Sequence, residues 1–305
     1  MNAQPCSFSI ALPVTLLALA LATAAVQGQA KTEPEKKQEI THQKNHFQSR
    51  GAKIRLERFR LAGKGDLPVM ILVPESKSMN KDPHVRASYE AIAERMAEDG
   101  YEVFIVQFFD RTGDVDGVKP EDFKDPKRGA EMKKKFQAWM ETVADCVSHV
   151  RTLKGVQKDR VGMIGFSLGG FLALSVVSDK EVKVRAVASY SGGLPDELCG
   201  KVTHLPPTFV VHGNLDSVVP VRNALTVIGK AVCLKTSCEH ELCNDGHLFQ
   251  TAITWQMFGI MIREGKDFDL KKAFAEVLRT NATVEPAVRR TLAFFDKHVK
   301  GGKGK

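Results

Sequence analysis

The sequence predicts an α/β fold around a mostly parallel sheet. Two observations carry that expectation. Short apolar runs of strand length alternate with longer stretches whose apolar residues recur at helical spacing. The residues with chemical promise then fall just after the ends of those runs, where open α/β sheets place their sites.

From the N-terminus, residues 7–26 are apolar and rich in Leu and Ala, with small residues towards their end. Val26-Gln27-Gly28 and Gly28-Gln29-Ala30 offer small side chains at cleavage positions. Residues 1–30 therefore read as a secretory signal peptide, although no Lys or Arg precedes the apolar run. The expected location is secreted or periplasmic. No second segment is long enough to span a bilayer, so no stable membrane insertion is expected after cleavage. Residues 31–50 are polar and charged and read as a disordered linker. One domain is expected over 51–300, with a flexible tail at 301–305.

Within the domain, Val69 to Val73 reads as a strand. Asp82-Pro83 supplies a cap and first turn for a helix whose face is Val85, Tyr89, Ile92, Ala93 and Met96, and Gly100 ends it. Val103 to Phe108 is a second strand. A further helix carries Phe136, Trp139, Met140, Val143, Val147 and Val150 on one side. Both helical stripes are expected to be core and to carry no chemistry.

The next strand, Val161 to Ile164, runs into Gly165-Phe166-Ser167-Leu168-Gly169-Gly170. Gly-x-Ser-x-Gly between a strand and a helix is the nucleophile elbow of α/β-hydrolases. Phe171, Leu172, Leu174, Val176 and Val177 continue it as an apolar helix. The turn is too tight for a Cβ on either side, hence the flanking glycines. It lifts the Ser167 hydroxyl above the sheet and aims the Leu168 N–H, at a helix N-terminus, towards a developing oxyanion.

A serine hydroxyl needs a base that a carboxylate holds in place, and this fold orders them Ser, Asp or Glu, then His. Asp216 follows the strand Thr208 to Val211, and His247 lies in Asn244-Asp245-Gly246-His247 after Ala231 to Leu234. The structural alternatives are a turn-fixing Asp216 before Pro220 and a simple loop histidine. His212 competes as base but stands before Asp216. Asp245 competes as acid but is too near His247 in the chain to orient its ring. The second oxyanion donor is expected after Val73. Pro74 has no N–H, which leaves the backbone of Glu75 or Ser76.

Gly165 to Gly170, His212-Gly213-x-x-Asp216-x-x-Val219-Pro220 and Gly246-His247-x-Phe249 resemble the dienelactone hydrolase branch of the α/β-hydrolase superfamily. The resemblance runs from about Pro68 to Phe249, includes Val184 to Gly193, and returns in Leu292 to His298. It implies about eight strands flanked by helices, and hydrolysis of small esters or lactones without a cofactor or metal. It also places a glutamate near the nucleophile, which Glu75 matches, and an arginine on a substrate carboxylate near Arg111. A planar guanidinium suits that task. The ordinary role for Arg111 is an ion pair with Asp110 or Asp114. Tyr190 is a third candidate for substrate contact. The chain departs from the family in having Ser167 where a cysteine is usual, and in extra residues after Phe249.

Those extra residues form an apolar patch, Trp255, Met257, Phe258, Ile260, Met261 and Ile262. Phe268, Leu270, Phe274, Val277 and Leu278 then recur at helical spacing. Residues 255–280 are either a lid over the site or an extra helix packed on the core. Asn281-Ala282-Thr283 is a glycosylation sequon.

Six cysteines become five once Cys6 leaves with the signal. Cys146 is expected to pack in its helix. Cys199, Cys233, Cys238 and Cys243 allow three pairings, and the sequence does not choose among them. An oxidising compartment favours one or two bridges. A bridge from this group is expected to stiffen the loop from Lys235 to Gly246 and so position His247. The spacing of Cys238, His240 and Cys243 does not support a metal site.

The formal charge is +8, much of it in Lys133-Lys134-Lys135, the linker and the tail from Lys300 to Lys305. Such runs suit solvated surface or attraction to anions. No nucleic-acid-binding module is present, so the expected partner is a small ester or lactone. Two other readings remain at this stage. A peptidase related to prolyl oligopeptidase uses the same triad, and such enzymes often carry an added N-terminal domain. A binding module on a hydrolase scaffold would not need all three triad residues.

Overall fold

A computed structural model of the chain describes residues 39–123, 125–249 and 255–301. The expected signal peptide and the tail beyond Gly301 lie outside them. The chain divides into Met1–Lys37 and a unit from Gln38 to Lys305, which contains all of the described residues.

The first described element corrects the expected linker. β1 (Ile40–Ser49) is a strand that pairs antiparallel along its whole length with β2 (Ala52–Leu61). Arg50 and Gly51, both at positive φ (46° and 85°), make the two-residue turn that suits a twisted hairpin. The segment reads as linker because only the far end of one face is buried, through Phe47 and Ser49. An edge strand with Lys44 and His46 towards solvent has a polar sequence, and charge on an edge discourages pairing with other chains.

Six further strands complete the sheet: β3 (Leu67–Val73), β4 (Glu102–Val106), β5 (Val156–Phe166), β6 (Ala186–Tyr190), β7 (Thr208–Gly213) and β8 (Cys238–Cys243). Their order is β1-β2-β4-β3-β5-β6-β7-β8. The pairs β1/β2 and β2/β4 are antiparallel and the others parallel. The central strands are buried on both faces, which explains their continuous apolar runs.

Alternate residues of the strands feed two apolar layers. Met70 and Leu72 of β3 belong to a layer with α1 (Pro83–Glu98), α7 (Leu270–Thr280) and α8 (Val284–Phe295). Val69, Ile71 and Val73 belong to the opposite layer with α2 (Gly129–Val150), α3 (Leu168–Val177) and α5 (Arg222–Cys233). The expected start of α1 holds. Asp82 Oδ1 accepts the N–H groups of His84 at 2.9 Å and Val85 at 3.3 Å, and Pro83 opens the helix.

Of the two readings of 255–280, the described residues follow the helix packed on the core. α6 (Trp255–Glu264) leads into α7, which buries Ala273, Phe274, Val277 and Leu278 in the α1 layer. Lys271 pairs with Glu94 at 2.7 Å, and Arg279 pairs with Glu98, tying α7 to α1. The apolar stripe therefore serves the core. In the sequon, Asn281 Oδ1 accepts the N–H groups of Thr283 (3.0 Å) and Val284 (3.1 Å) and so steadies the entry to α8.

The bridge expected to stiffen 235–246 is not formed, since Cys238 and Cys243 are both free and cannot reach each other. Cys238 and Cys243 are the first and last residues of β8. Five steps of extended chain separate their Cα atoms by roughly 17 Å. A disulfide needs about 4.4–6.8 Å. All five described cysteines are free, and Cys146 is buried as expected.

Candidate active site

β5 enters the site and α3 leaves it, with Ser167 between them at φ 49° and ψ −114°. A non-glycine residue there is strained, at a cost on the order of 1–3 kcal/mol. The surroundings hold it. Its N–H donates to the Tyr190 carbonyl at 2.8 Å, and its carbonyl accepts from Gly170 N–H at 2.8 Å. A Cβ on Gly165 would lie 2.1 Å from the Gly169 carbonyl oxygen. One on Gly169 would lie 2.0 Å from that of Val73. Backbone meets backbone at both positions, so neither glycine is replaceable.

Asp216 and His247 come from the loops after β7 and β8 and converge on this turn. The two loops are laced together: Asn214 N–H donates to the Cys243 carbonyl at 2.7 Å and Leu215 N–H to that of Asp245 at 3.0 Å. His247 Nε2 lies 2.9 Å from Ser167 Oγ, and His247 Nδ1 lies 2.7 Å from Asp216 Oδ2. With a carboxylate at Nδ1, that nitrogen carries the proton, and the Nε2 lone pair faces the serine hydroxyl. The other oxygen of Asp216 accepts the N–H groups of Val218 (2.9 Å) and Val219 (2.8 Å). Burial opposes ionisation of Asp216. The bonds from His247, Val219 and Val218 outweigh it and hold the carboxyl below its usual range.

The two competitors have other tasks. His212 is fully buried and donates from Nε2 to the Val219 carbonyl at 2.8 Å, fixing the loop that carries Asp216. Burial pushes its pKa down, which keeps it neutral. Asp245 accepts from Gly246 N–H at 2.7 Å and shapes its own turn.

The predicted oxyanion donors separate. The Leu168 N–H opens α3 and has no backbone partner among the described residues. The Glu75 N–H instead donates to Tyr89 Oη at 3.0 Å, so it is taken. Ser76 remains, and it lines the same cavity as Ser167 and Leu168. The Glu75 side chain is buried. Burial raises its pKa to about 7, against the opposing pull of Lys77 and His247.

The structure does not bring the other two substrate candidates to the cavity. Tyr190 is 3% exposed, with its hydroxyl 2.5 Å from Thr291 Oγ1, under α8. Side chains alternate along β6, and this one falls on the core side. Arg111 is half-buried and does not line the cavity either. Its expected partners are occupied: Asp110 pairs with Arg55, and Asp114 with Lys135 at 2.7 Å. Its Nε is buried with no hydrogen-bond partner among the described residues.

The cavity itself measures about 540 Å³. Met132, Phe136 and Met140 of α2, Phe171 of α3, Leu198 and Val218 line it. Phe136 and Met140, expected in the core with Trp139 and Val143, do pack against it on one side and line the cavity on the other. They are on the same stripe, and its period says nothing of what faces it. Elsewhere, His42, Glu57 and Glu90 are close enough together to share a cation. Arg86 already spans both carboxylates, at 3.1 Å and 3.2 Å.

The model of the dienelactone hydrolase family matches residues 60–240, more than half of the chain. A Synechocystis sp. protein provisionally named a carboxymethylenebutenolidase is 29% identical over 139 residues, which cover 43% of this chain. Those residues cover 51% of that protein, so the chain spans about half the length of this relative. A structure from Klebsiella pneumoniae subsp. pneumoniae, provisionally named a dienelactone hydrolase, superposes with a TM-score of 0.63 at 17% identity. The match covers 85% of this chain and 100% of that one. The dienelactone hydrolase of Anabaena variabilis superposes with a TM-score of 0.55 at 14% identity, over 85% and 99% of the two chains. The sheet order, the elbow and these likenesses define an α/β-hydrolase fold. Within that class, the chain belongs to the dienelactone hydrolase family.

Proposed function

We propose that the protein is a carboxylic ester hydrolase that cleaves small esters or lactones through an acyl-enzyme on Ser167. The observation that carries this reading is the unbroken line from Ser167 Oγ to His247 Nε2 (2.9 Å) and from His247 Nδ1 to Asp216 Oδ2 (2.7 Å). Ser167 Oγ attacks the carbonyl carbon while His247 Nε2 takes its proton. Asp216 stabilises the imidazolium. The N–H groups of Leu168 and Ser76 receive the oxyanion. His247 then protonates the leaving alkoxide, and a water molecule activated by the same nitrogen releases the acid. Export to an oxidising compartment is part of the proposal and rests on the composition of residues 1–30.

The test is hydrolysis of p-nitrophenyl acetate by the wild type and by Ser167→Ala, with fluorophosphonate labelling of both. Loss of the hydroxyl is expected to lower kcat by a factor of about 10⁶ and to abolish labelling. Equal rates and no labelling of the wild type would end the serine hydrolase reading.

A further inference from the structure

The cavity beside Ser167 has a chemistry that an anionic substrate does not need. Met132, Phe136 and Met140 repeat every fourth residue along α2 and form one apolar strip. Phe171, Leu198 and Val218 complete the wall. Val218 stays 38% exposed, so apolar surface here is left against water. The volume of about 540 Å³ falls within the roughly 300–1,000 Å³ of small-molecule sites and far exceeds what an acetyl group fills.

Among the described residues, the charged side chains that line the cavity are Lys133 and Glu197. They pair with each other at 2.9 Å, from α2 to the short helix at Asp196–Cys199. A ligand carboxylate on the apolar strip would lose its hydration. It would meet a cation only at the exposed rim, where it must displace Glu197 from Lys133, so its burial is costly. A neutral alkyl or aromatic arm would cover the strip and release its water.

We propose that the substrates are neutral esters with an extended apolar arm, that Phe136 and Met140 set this preference, and that carboxylate-bearing esters and lactones are rejected. The proposal rests on Ser167 being the nucleophile. It deepens that reading by naming the substrate class.

The test compares kcat/KM of the full chain for ethyl acetate, ethyl hexanoate and hexyl acetate, followed by chromatography of the products. Monoethyl adipate and 6-acetoxyhexanoate serve as the carboxylate-bearing counterparts. The better long neutral ester is expected to exceed ethyl acetate, and its own counterpart, by about tenfold or more. Phe136→Ala should erase most of the advantage over ethyl acetate, and Phe136→Leu part of it, with circular dichroism confirming that each is folded. An advantage that survives both variants would remove Phe136 as the determinant. Ethyl acetate matching the long esters would overturn the proposal. So would a preference for the carboxylate esters, and its loss in Arg111→Met would move substrate recognition to that arginine. Fluorophosphonate labelling of Ser167 separates the failures. Labelling without the neutral preference sinks only this proposal, whereas no labelling and no hydrolysis of any ester sinks the nucleophile reading with it.

Discussion

The two faces of the sheet are built from the same materials and end differently. On one side, α1, α7 and α8 close over the strands and leave a void of about 30 Å³ among Met96, Phe166, Tyr190 and Leu292. On the other, α2 and α3 leave about 540 Å³ beside Ser167. Both sides present aromatic and aliphatic residues at helical spacing. What differs is whether a second apolar element packs against the stripe. α7 lies on α1 through Phe274 and Val277, while nothing among the described residues fills the space in front of Phe136 and Met140. An apolar stripe thus has two uses, and the filled one gives stability while the open one gives a binding wall.

The sharpest way to break that contrast is a matched pair of truncations. Phe274 is 1% exposed and packed on all sides. Phe274→Ala should cost about 3–5 kcal/mol of unfolding free energy and leave the order of ester preference unchanged. Phe136 faces an existing cavity, so Phe136→Ala leaves no new void and should cost well under half as much. Urea denaturation of the two variants measures the difference. Equal costs would mean that α2 is as tightly packed as α7 and that the cavity is not open to ligands.

These differences also mark what the sequence could say. The elbow was legible because its glycines answer to backbone clashes that any sequence must avoid, at Gly165 and Gly169. Ser167 and Asp216 were legible because they follow the apolar strands β5 and β7. The apolar run 231–234, expected as the strand before His247, is instead the end of α5. The strand that does precede His247, β8, has the polar sequence Cys238–Cys243 of a half-exposed edge. β1 was not, since an edge strand with one solvated face reads as a polar linker. The Glu75 N–H was not, because its partner Tyr89 lies in a helix whose packing against β3 no local pattern encodes. The cavity face of Phe136 and the core placement of Tyr190 were not legible for a related reason. Period assigns a residue to a face, and only tertiary packing decides whether that face is covered.

Glu75 lies at the seam between the two sides. Its backbone bonds to Tyr89 of the closed layer, while the next residue, Ser76, lines the open cavity. Burial raises its carboxyl from the usual 4.5 to about 7. In the folded state it therefore holds a proton that the unfolded chain releases between those values. The stabilisation is complete below about pH 4.5 and is lost as pH rises through about 7, a change of about 3 kcal/mol. The stability of the wild type relative to Glu75→Gln should fall by about that much from pH 4.5 to pH 8. A flat difference across that range would mean that solvent reaches the carboxyl and that the seam is open.

The smallest expected effect concerns Tyr190, which supports the elbow with its carbonyl and the closed layer with its side chain. Its hydroxyl meets Thr291 Oγ1 at 2.5 Å and the Ala287 carbonyl at 3.4 Å. Tyr190→Phe removes that hydroxyl and keeps the ring between Phe166 and α8. The loss should be about 1 kcal/mol of stability, because Thr291 retains its own bond to the Ala287 carbonyl at 2.8 Å. KM for any ester should not change, since the phenol lies on the side of the sheet away from the cavity. A raised KM at unchanged stability would place the phenol at the substrate after all, and the division of the molecule into a packed side and a binding side would fail at β6.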